Sequence, residues 1–346
     1  MPKACEPNLP ETLKGAGPCR IEWEVKRRSG KPNWWCKTHE LDASAPDGGR
    51  LEQCPGAWFA AVPLERQLDL DVADGEFSVW GAIPPAIQIG PEHPETGNVH
   101  VHHRAHGQPM KDVDGSFDIV RIHNGGQTLT VENMAAVAFS ISELAGQTVK
   151  VLQCPKAGCG GFHIDEQKFA THPHTKHLCN RCGRNFRDPT PSISNPLADA
   201  YAILGLNHPA APVRLNGALD LKREKYSSIS MWPSNAAIVS TAERPEEEGI
   251  HVHAWDHNGV QIVDDTYSPV FLDGEEIDDV LLRALAVQRS LAHDTPIVSM
   301  SCGDCGTSLL SPSDGWIEPS TTHRCQACGA KVKTRRRAFL NPLADK

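Results

Sequence analysis

The chain has 346 residues, 39% of them apolar, which is enough for two or three domains with their own cores. Its formal charge of −9 excludes a chain-wide role in coating nucleic acid, so any such contact would be local. No run approaches the roughly 18 apolar residues of a membrane span, and 27 Pro with 28 Gly favour turns and short strands over long helices.

The N-terminal stretch MPKACEPNLPETLKGAG lacks the apolar run of a signal peptide, so the expected compartment is the cytosol, where thiols stay reduced. Residues 1–65 then read as a zinc-binding module. Cys36-Lys37-Thr38-His39 is a tight knuckle flanked by Cys19 and Cys54, and three thiolates with one imidazole complete a tetrahedron. Cys5 competes with Cys19 for this role, and Trp34-Trp35 beside Cys36 either packs over the metal or stacks on a ligand.

Residues 66–199 form a first repeat. It opens with short strands at Gln67–Val72 and Glu76–Trp80, joined at Asp74-Gly75. His100-Val101-His102 follows, with His106 in the next turn. Strand alternation puts the first and third side chains on one face, where two imidazoles can address one metal, with Asp112 or Asp114 returning as a carboxylate. Val131–Ala145 reads as a helix with Thr130 as N-cap. Met134, Val137, Ala138, Ile141 and Leu144 form its apolar stripe, and Gly146 ends it. The repeat closes on Cys154-x4-Cys159 and Cys179-x2-Cys182, with His163, His174 and His177 near enough to replace a thiolate. His163-Ile164-Asp165-Glu166 ahead of Cys179 lacks the spacing and the proline of a zinc deaminase.

Residues 200–217, with Gly205, Pro209 and Pro212, read as a linker, and residues 218–346 as a second repeat. Cys159–Asp199 matches Cys305–Asp345 without a gap, including Asn195-Pro196-Leu197-Ala198-Asp199 against Asn341-Pro342-Leu343-Ala344-Asp345. Upstream, Leu68-Asp69-Leu70 meets Leu219-Asp220-Leu221, Ala86-Ile87 meets Ala237-Ile238, and His100, His102 and His106 meet His251, His253 and His257. An ordered series of this kind signals duplication. Asp264 and Asp265 are the second carboxylate candidates. A helix is expected at Glu276–Ala292, with Ile277, Val280, Leu281, Ala284, Leu285 and Leu291 inward.

The chain closes on Cys302-x2-Cys305 and Cys325-x2-Cys328, with Gly303, Gly306 and Gly329 placed for positive φ or close backbone approach. This resembles the zinc-ribbon family of modules, and the resemblance implies four thiolates closing on one structural zinc. Lys331, Lys333, Arg335, Arg336 and Arg337 follow as a basic run, with Arg181, Arg184 and Arg187 in the related region of the first repeat.

The expected fold is therefore α+β: an N-terminal zinc module plus two tandem repeats, each of short antiparallel strands, one helix and a zinc ribbon. The expected cofactor is zinc, about three structural ions, with further metal at the His motifs as a second expectation. Closed zinc sites, and the absence of a G-x-S-x-G, P-loop or dinucleotide motif, point to a binding or adaptor protein for nucleic acid or a protein partner. The alternative is a metal-dependent hydrolase or oxygenase using His100, His102, His106, His251, His253 and His257. A docking role in protein conjugation, by analogy with other zinc modules, is a third and weaker reading.

Overall fold

The computed structural model describes residues 67–91, 99–109, 111–165, 167–211, 217–242, 248–292, 294–311 and 316–346, with three short strands of the N-terminal segment. The chain divides into two units, Met1–Arg66 and Gln67–Lys346. In the first, β1 (Ile21–Val25), β2 (Pro32–Cys36) and β3 (Leu41–Asp42) form an antiparallel sheet with β2 central. Cys36 is the last residue of β2; Cys5, Cys19, His39 and Cys54 lie outside the described residues.

The second unit is mixed α and β, mostly strand. Its first half runs β4 (Gln67–Asp71), β5 (Gly75–Gly81), β6 (Ile87–Ile89), β7 (Val99–Ala105), β8 (Val113–Phe117), β9 (Ile119–Asn124), β10 (Gln127–Glu132), α1 (Asn133–Leu144), β11 (Val149–Lys150), β12 (His174–Leu178), β13 (Asn185–Ser194) and α2 (Ala200–Leu204). The second half runs β14 (Leu219–Leu221), β15 (Ser228–Pro233), β16 (Val239–Ser240), β17 (Ile250–Trp255), β18 (Gln261–Tyr267), β19 (Val270–Leu272), β20 (Glu275–Glu276), α3 (Asp279–Leu291), β21 (Ile297–Val298), β22 (Ser320–Arg324) and β23 (Lys331–Leu340).

Strands adjacent in sequence do not always pair. β4 runs parallel to β9 in the sheet β10-β9-β4, while β5 pairs with β7, so the Asp74-Gly75 turn carries the chain between sheets and makes no hairpin. The two halves are thus not purely antiparallel; β14 likewise runs parallel to β19. The two four-stranded sheets, β16-β5-β7-β8 and β18-β17-β15-β6, each borrow one strand from the other half. Val239 and Ser240 pair with Val79 and Ser78, and Ile87 and Ile89 pair with Met231 and Ile229.

The borrowed strands carry apolar side chains into the foreign core. Ile238 and Val239 pack with Phe77, Val79, Val101 and Ile122. Ile83, Ala86 and Ile87 pack with Ile229, Met231, Val252 and Leu285. α2 joins the first core through the buried Ala200 and Leu204, so helix occupies the first residues after Asp199.

The helices differ from expectation at their ends. The β10 ladder continues through Val131 and Glu132, opposite Val120 and Ile119, so Thr130 lies in a strand and caps nothing. Glu132 is the N-cap of α1 and makes no side-chain capping bond. α3 starts later than expected because the Asp278 carboxylate caps it, accepting from the Leu281 N–H at 3.0 Å. Ile277 is buried before the helix begins, Ala284 and Leu285 are buried as expected, and Val280, expected inward, is 56% exposed while Leu282 and Ala286 are buried. No described helix is long and apolar enough to cross a membrane.

Candidate metal centres

Two four-cysteine clusters stand at the bases of the ribbon sheets β11-β13-β12 and β21-β23-β22. Cys154 and Cys182 approach to 3.6 Å between sulfurs, and Cys159 and Cys179 to 3.8 Å. Cys302 and Cys328, and Cys305 and Cys325, both stand 3.6 Å apart. Zn–S bonds of about 2.3 Å in a tetrahedron separate the sulfurs by about 3.8 Å. A disulfide needs about 2.05 Å, so these sulfurs are spaced for a shared ion and not for a bond to one another.

The same backbone turns make both clusters. The Cys154 N–H reaches the Gly161 carbonyl and the Cys302 N–H the Thr307 carbonyl; the Cys179 and Cys325 N–H groups reach Arg184 and Ala330. Gly183 and Gly329 donate back to Cys179 and Cys325 with φ of +67° and +75°, which a residue with a Cβ adopts only under strain. Gly306 does the same for Cys302 at φ +75°, while Gly303, expected to need such freedom, has neither a positive φ nor a close neighbour. The two extra residues of Cys154-x4-Cys159 are absorbed in a turn closed by Cys159 N–H to the Lys156 carbonyl.

Four thiols this close cannot all ionise without a cation. In the first cluster the Cys182 backbone N–H holds the Cys179 thiol down to about 6. The Lys156 N–H also favours the Cys154 thiolate, but burial and the three other cysteines outweigh it and push that thiol up to about 12. In the second cluster Cys305, hydrogen-bonded by Thr307, is lowered to about 6, and Cys328 is raised to about 12. A divalent ion removes this conflict by stabilising every thiolate together.

The histidine pairs lie on β7 and β17. Alternation places Val101 and Val252 in the cores and both histidines of each pair on the opposite face. Register then sets Asp114 opposite His102 and Ser116 opposite His100, with Asp264 opposite His253 and Thr266 opposite His251. The imidazole Nε2 atoms meet at 2.9 Å in the first pair and 2.8 Å in the second. Asp114 Oδ1 stands 3.2 Å from His102 Nε2 and 3.7 Å from His100 Nε2; Asp264 Oδ1 stands 3.2 and 3.6 Å from the second pair. Ser116 Oγ and Thr266 Oγ1 engage the far nitrogens of His100 and His251 at 3.2 and 3.1 Å, which orients both rings.

Each set has two imidazoles and one carboxylate within ligand distance of a common point, and could hold a metal ion with open positions left over. A tetrahedral zinc with bonds of about 2.05 Å separates its nitrogens by about 3.3 Å, so the rings would part only slightly to admit one. Burial raises Asp114, but hydrogen bonding and charge from His102, with Lys111 and His100, outweigh it and hold the carboxyl below the usual range. Asp264 is lowered chiefly by its hydrogen bond with His253, and the charge on Asp114 pushes it the other way.

Comparison with known proteins returned no matching family profile, no similar characterised protein and no similar solved structure.

His106 and His257, expected as third ligands, do not join these sets. His106 lies exposed in the turn after β7, and His257 Nε2 engages the Glu224 carbonyl at 3.0 Å. The carboxylate takes the third place because it lies directly across the ladder, whereas the fourth residue along has left the sheet. Asp112 pairs with His103 at 2.7 Å, and Asp265 accepts from the Thr266 N–H.

Trp80 and Trp232 were not singled out by the sequence, although they stand at matching places in the two halves. Each indole lies edge-on to the second histidine of its pair, with ring centroids 5.0 Å apart. Each Nε1–H donates to a backbone carbonyl of the other half, Trp80 to Asn235 and Trp232 to Ile83. The contact between the halves thereby fixes one wall of each site.

His163, His174 and His177 replace no thiolate. They gather around the buried Asp165 beside the first cysteine cluster. The basic run lies on β23, with Lys331, Lys333, Arg335, Arg336 and Arg337 all exposed; Arg181, Arg184 and Arg187 are also exposed near the first cluster.

Proposed function

We propose that this chain is a metal-dependent hydrolase whose working ions are held by His100, His102 and Asp114 and by His251, His253 and Asp264. The cysteine sets Cys154, Cys159, Cys179 and Cys182, and Cys302, Cys305, Cys325 and Cys328, hold structural zinc. The two halves are read as tandem repeats from one duplication, following an N-terminal zinc module. The observation that carries the functional reading is the convergence of two Nε2 atoms and one carboxylate oxygen in both halves. Three protein ligands leave room for water or substrate, which four thiolates do not.

An ion bound there supplies Lewis acidity and an acidified water. The residues around it do the rest. Ser116 and Thr266 orient the first histidine of each pair. Trp80 and Trp232 exclude solvent from one side. Asp114 and Asp264, each on the strand beside its histidines, supply the anionic ligands. Hydrolysis is the simplest chemistry for such a site, because it needs no co-reactant beyond the water the ion would hold. The exposed cationic row of β23, a separate feature of the second ribbon, would favour contacts with phosphate groups, including those of nucleic acid.

The test is turnover of bis(p-nitrophenyl) phosphate and p-nitrophenyl acetate with Zn2+ or Mn2+ added. Hydrolysis of one of these is expected to need metal and to fall at least about 100-fold when His102→Ala and His253→Ala are combined. Equal rates in the wild type and the double variant, or no metal-dependent turnover by either, would remove the reading.

A further inference from the structure

The first ribbon carries a set of side chains that the second lacks. The Asp165 N–H donates to the Ser194 carbonyl at 2.9 Å, and Asp165 Oδ2 accepts from the Ser194 N–H at 2.6 Å. At the matching place in the second ribbon Ser311 does the same work: its N–H donates to the Leu340 carbonyl at 2.9 Å and its Oγ accepts from the Leu340 N–H at 3.0 Å. The fold therefore needs only an uncharged acceptor at this point. Asp165 is 4% exposed, and a buried carboxylate is costly unless something positive compensates it.

Three imidazoles surround it. His163 Nε2 lies 2.7 Å from Asp165 Oδ1, His174 Nε2 3.3 Å from the same oxygen, and His177 Nδ1 3.4 Å from either oxygen. The second ribbon keeps only one of these histidines, His323; its other matching residues are Leu309 and Ser320.

The hydrogen-bond bookkeeping assigns the protons. Asn180 Oδ1 accepts from the Ile164 N–H at 3.0 Å, so that atom is the oxygen of the amide. His163 Nδ1 lies 2.9 Å from it and must be a donor. His174 Nδ1 lies 2.9 Å from the His172 carbonyl and must donate as well. Each neutral ring then presents a bare Nε2 lone pair to the same carboxylate oxygen. Lone pairs on two nitrogens and an anionic oxygen repel unless protons or a cation lie between them. Two added protons would bury two imidazolium charges around one aspartate; a single divalent ion satisfies all three donors.

We infer that His163, Asp165 and His177, closed by His174, form a further zinc-type site in the first ribbon, separate from its cysteine cluster and independent of the histidine pairs on β7 and β17. Two or three imidazoles with one carboxylate form a donor set suited to Zn2+. Admitting the ion parts His163 Nε2 and Asp165 Oδ1 by about 0.6 Å, to the roughly 3.3 Å of a tetrahedral pair. A site of three buried ligands, with the half-buried His174 closing it, anchors β12 to the segment before it and is structural in character.

The test is zinc content per full-length chain by native mass spectrometry, comparing the wild type with a triple variant that installs the second ribbon's residues, His163→Leu, Asp165→Ser and His174→Ser. The triple variant is expected to carry one zinc fewer and, when loaded with Co2+, to keep the thiolate-to-metal charge-transfer band of the cysteine sites. Should the triple variant fail to fold, Asp165→Asn, which keeps an acceptor for the Ser194 N–H, is expected to show the same loss of one ion. An unchanged zinc count in the folded triple variant, or in Asp165→Asn, would overturn the site and leave an imidazolium–carboxylate cluster.

Discussion

Asp188 shows how one side chain in the first ribbon ties stability to pH. Its Oδ1 accepts from the Thr190 N–H at 3.1 Å, and its Oδ2 from Lys150 Nζ and Ser192 Oγ, both at 3.0 Å. The Thr190 N–H and the Lys150 ammonium together hold its pKa below the ordinary 3.8. A carboxyl depressed on folding contributes fully above its unfolded pKa, and that contribution is lost as pH falls through the folded value. The urea midpoint of the wild type is therefore expected to fall more steeply below about pH 4 than that of Asp188→Asn. Parallel curves for the two proteins would show that Asp188 adds nothing. At this scale the sequence was readable where chemistry is local. Two cysteines with two residues between them on a turn share a direction, so the second cluster could be read from its spacing; the first, with its longer Cys154-x4-Cys159 knuckle, was legible only through its match to the second copy. The carboxylates could not: four aspartates were candidates, and only strand register separates Asp114 and Asp264 from Asp112 and Asp265.

Among the elements, the exchanged strands β6 and β16 decide how the halves depend on each other. Ile87 is fully buried, opposite Met231 in the other half, and lies in a core built mainly from that half. Placing a charge there removes apolar contacts and strands an unpaired carboxylate. Ile87→Asp is expected to cost at least about 3 kcal/mol, read as a lowered urea midpoint. A shift no larger than that of a surface substitution would show that β6 is not part of the second core. The exchange was invisible in the sequence because the Ala86-Ile87 and Ala237-Ile238 match marks equivalent segments without saying which sheet each joins. The same limit explains the misplaced Thr130 cap and the Asp74-Gly75 hairpin. Period and turn residues locate an element; its partners come from packing at a distance.

For the molecule as a whole, two kinds of candidate metal centre occupy different sheets. The four-cysteine sets stand beside ribbons with small apolar clusters: in the second, Leu309 and Leu340 pack with Cys302 and Cys325. Structural zinc in small zinc fingers contributes about 10–16 kcal/mol, and an ion bound by these cysteines would add stability of that order to the ribbons. Open sets of two histidines and one aspartate sit instead on the large exchanged sheets, whose rigidity comes from the shared cores and whose walls are completed by Trp80 and Trp232. The histidine repeat and a returning carboxylate were legible in the sequence, but which aspartate joins each pair, and that the third histidine does not, come from strand register alone. Metal binding by these sheet-borne sets is tested directly by crystals of the zinc-loaded chain, measured at the zinc absorption edge. Anomalous peaks are predicted between the Nε2 atoms and the carboxylate in both sets, in addition to those inside the two cysteine clusters. Peaks at the cysteines alone, with both histidine sets empty, would contradict the account.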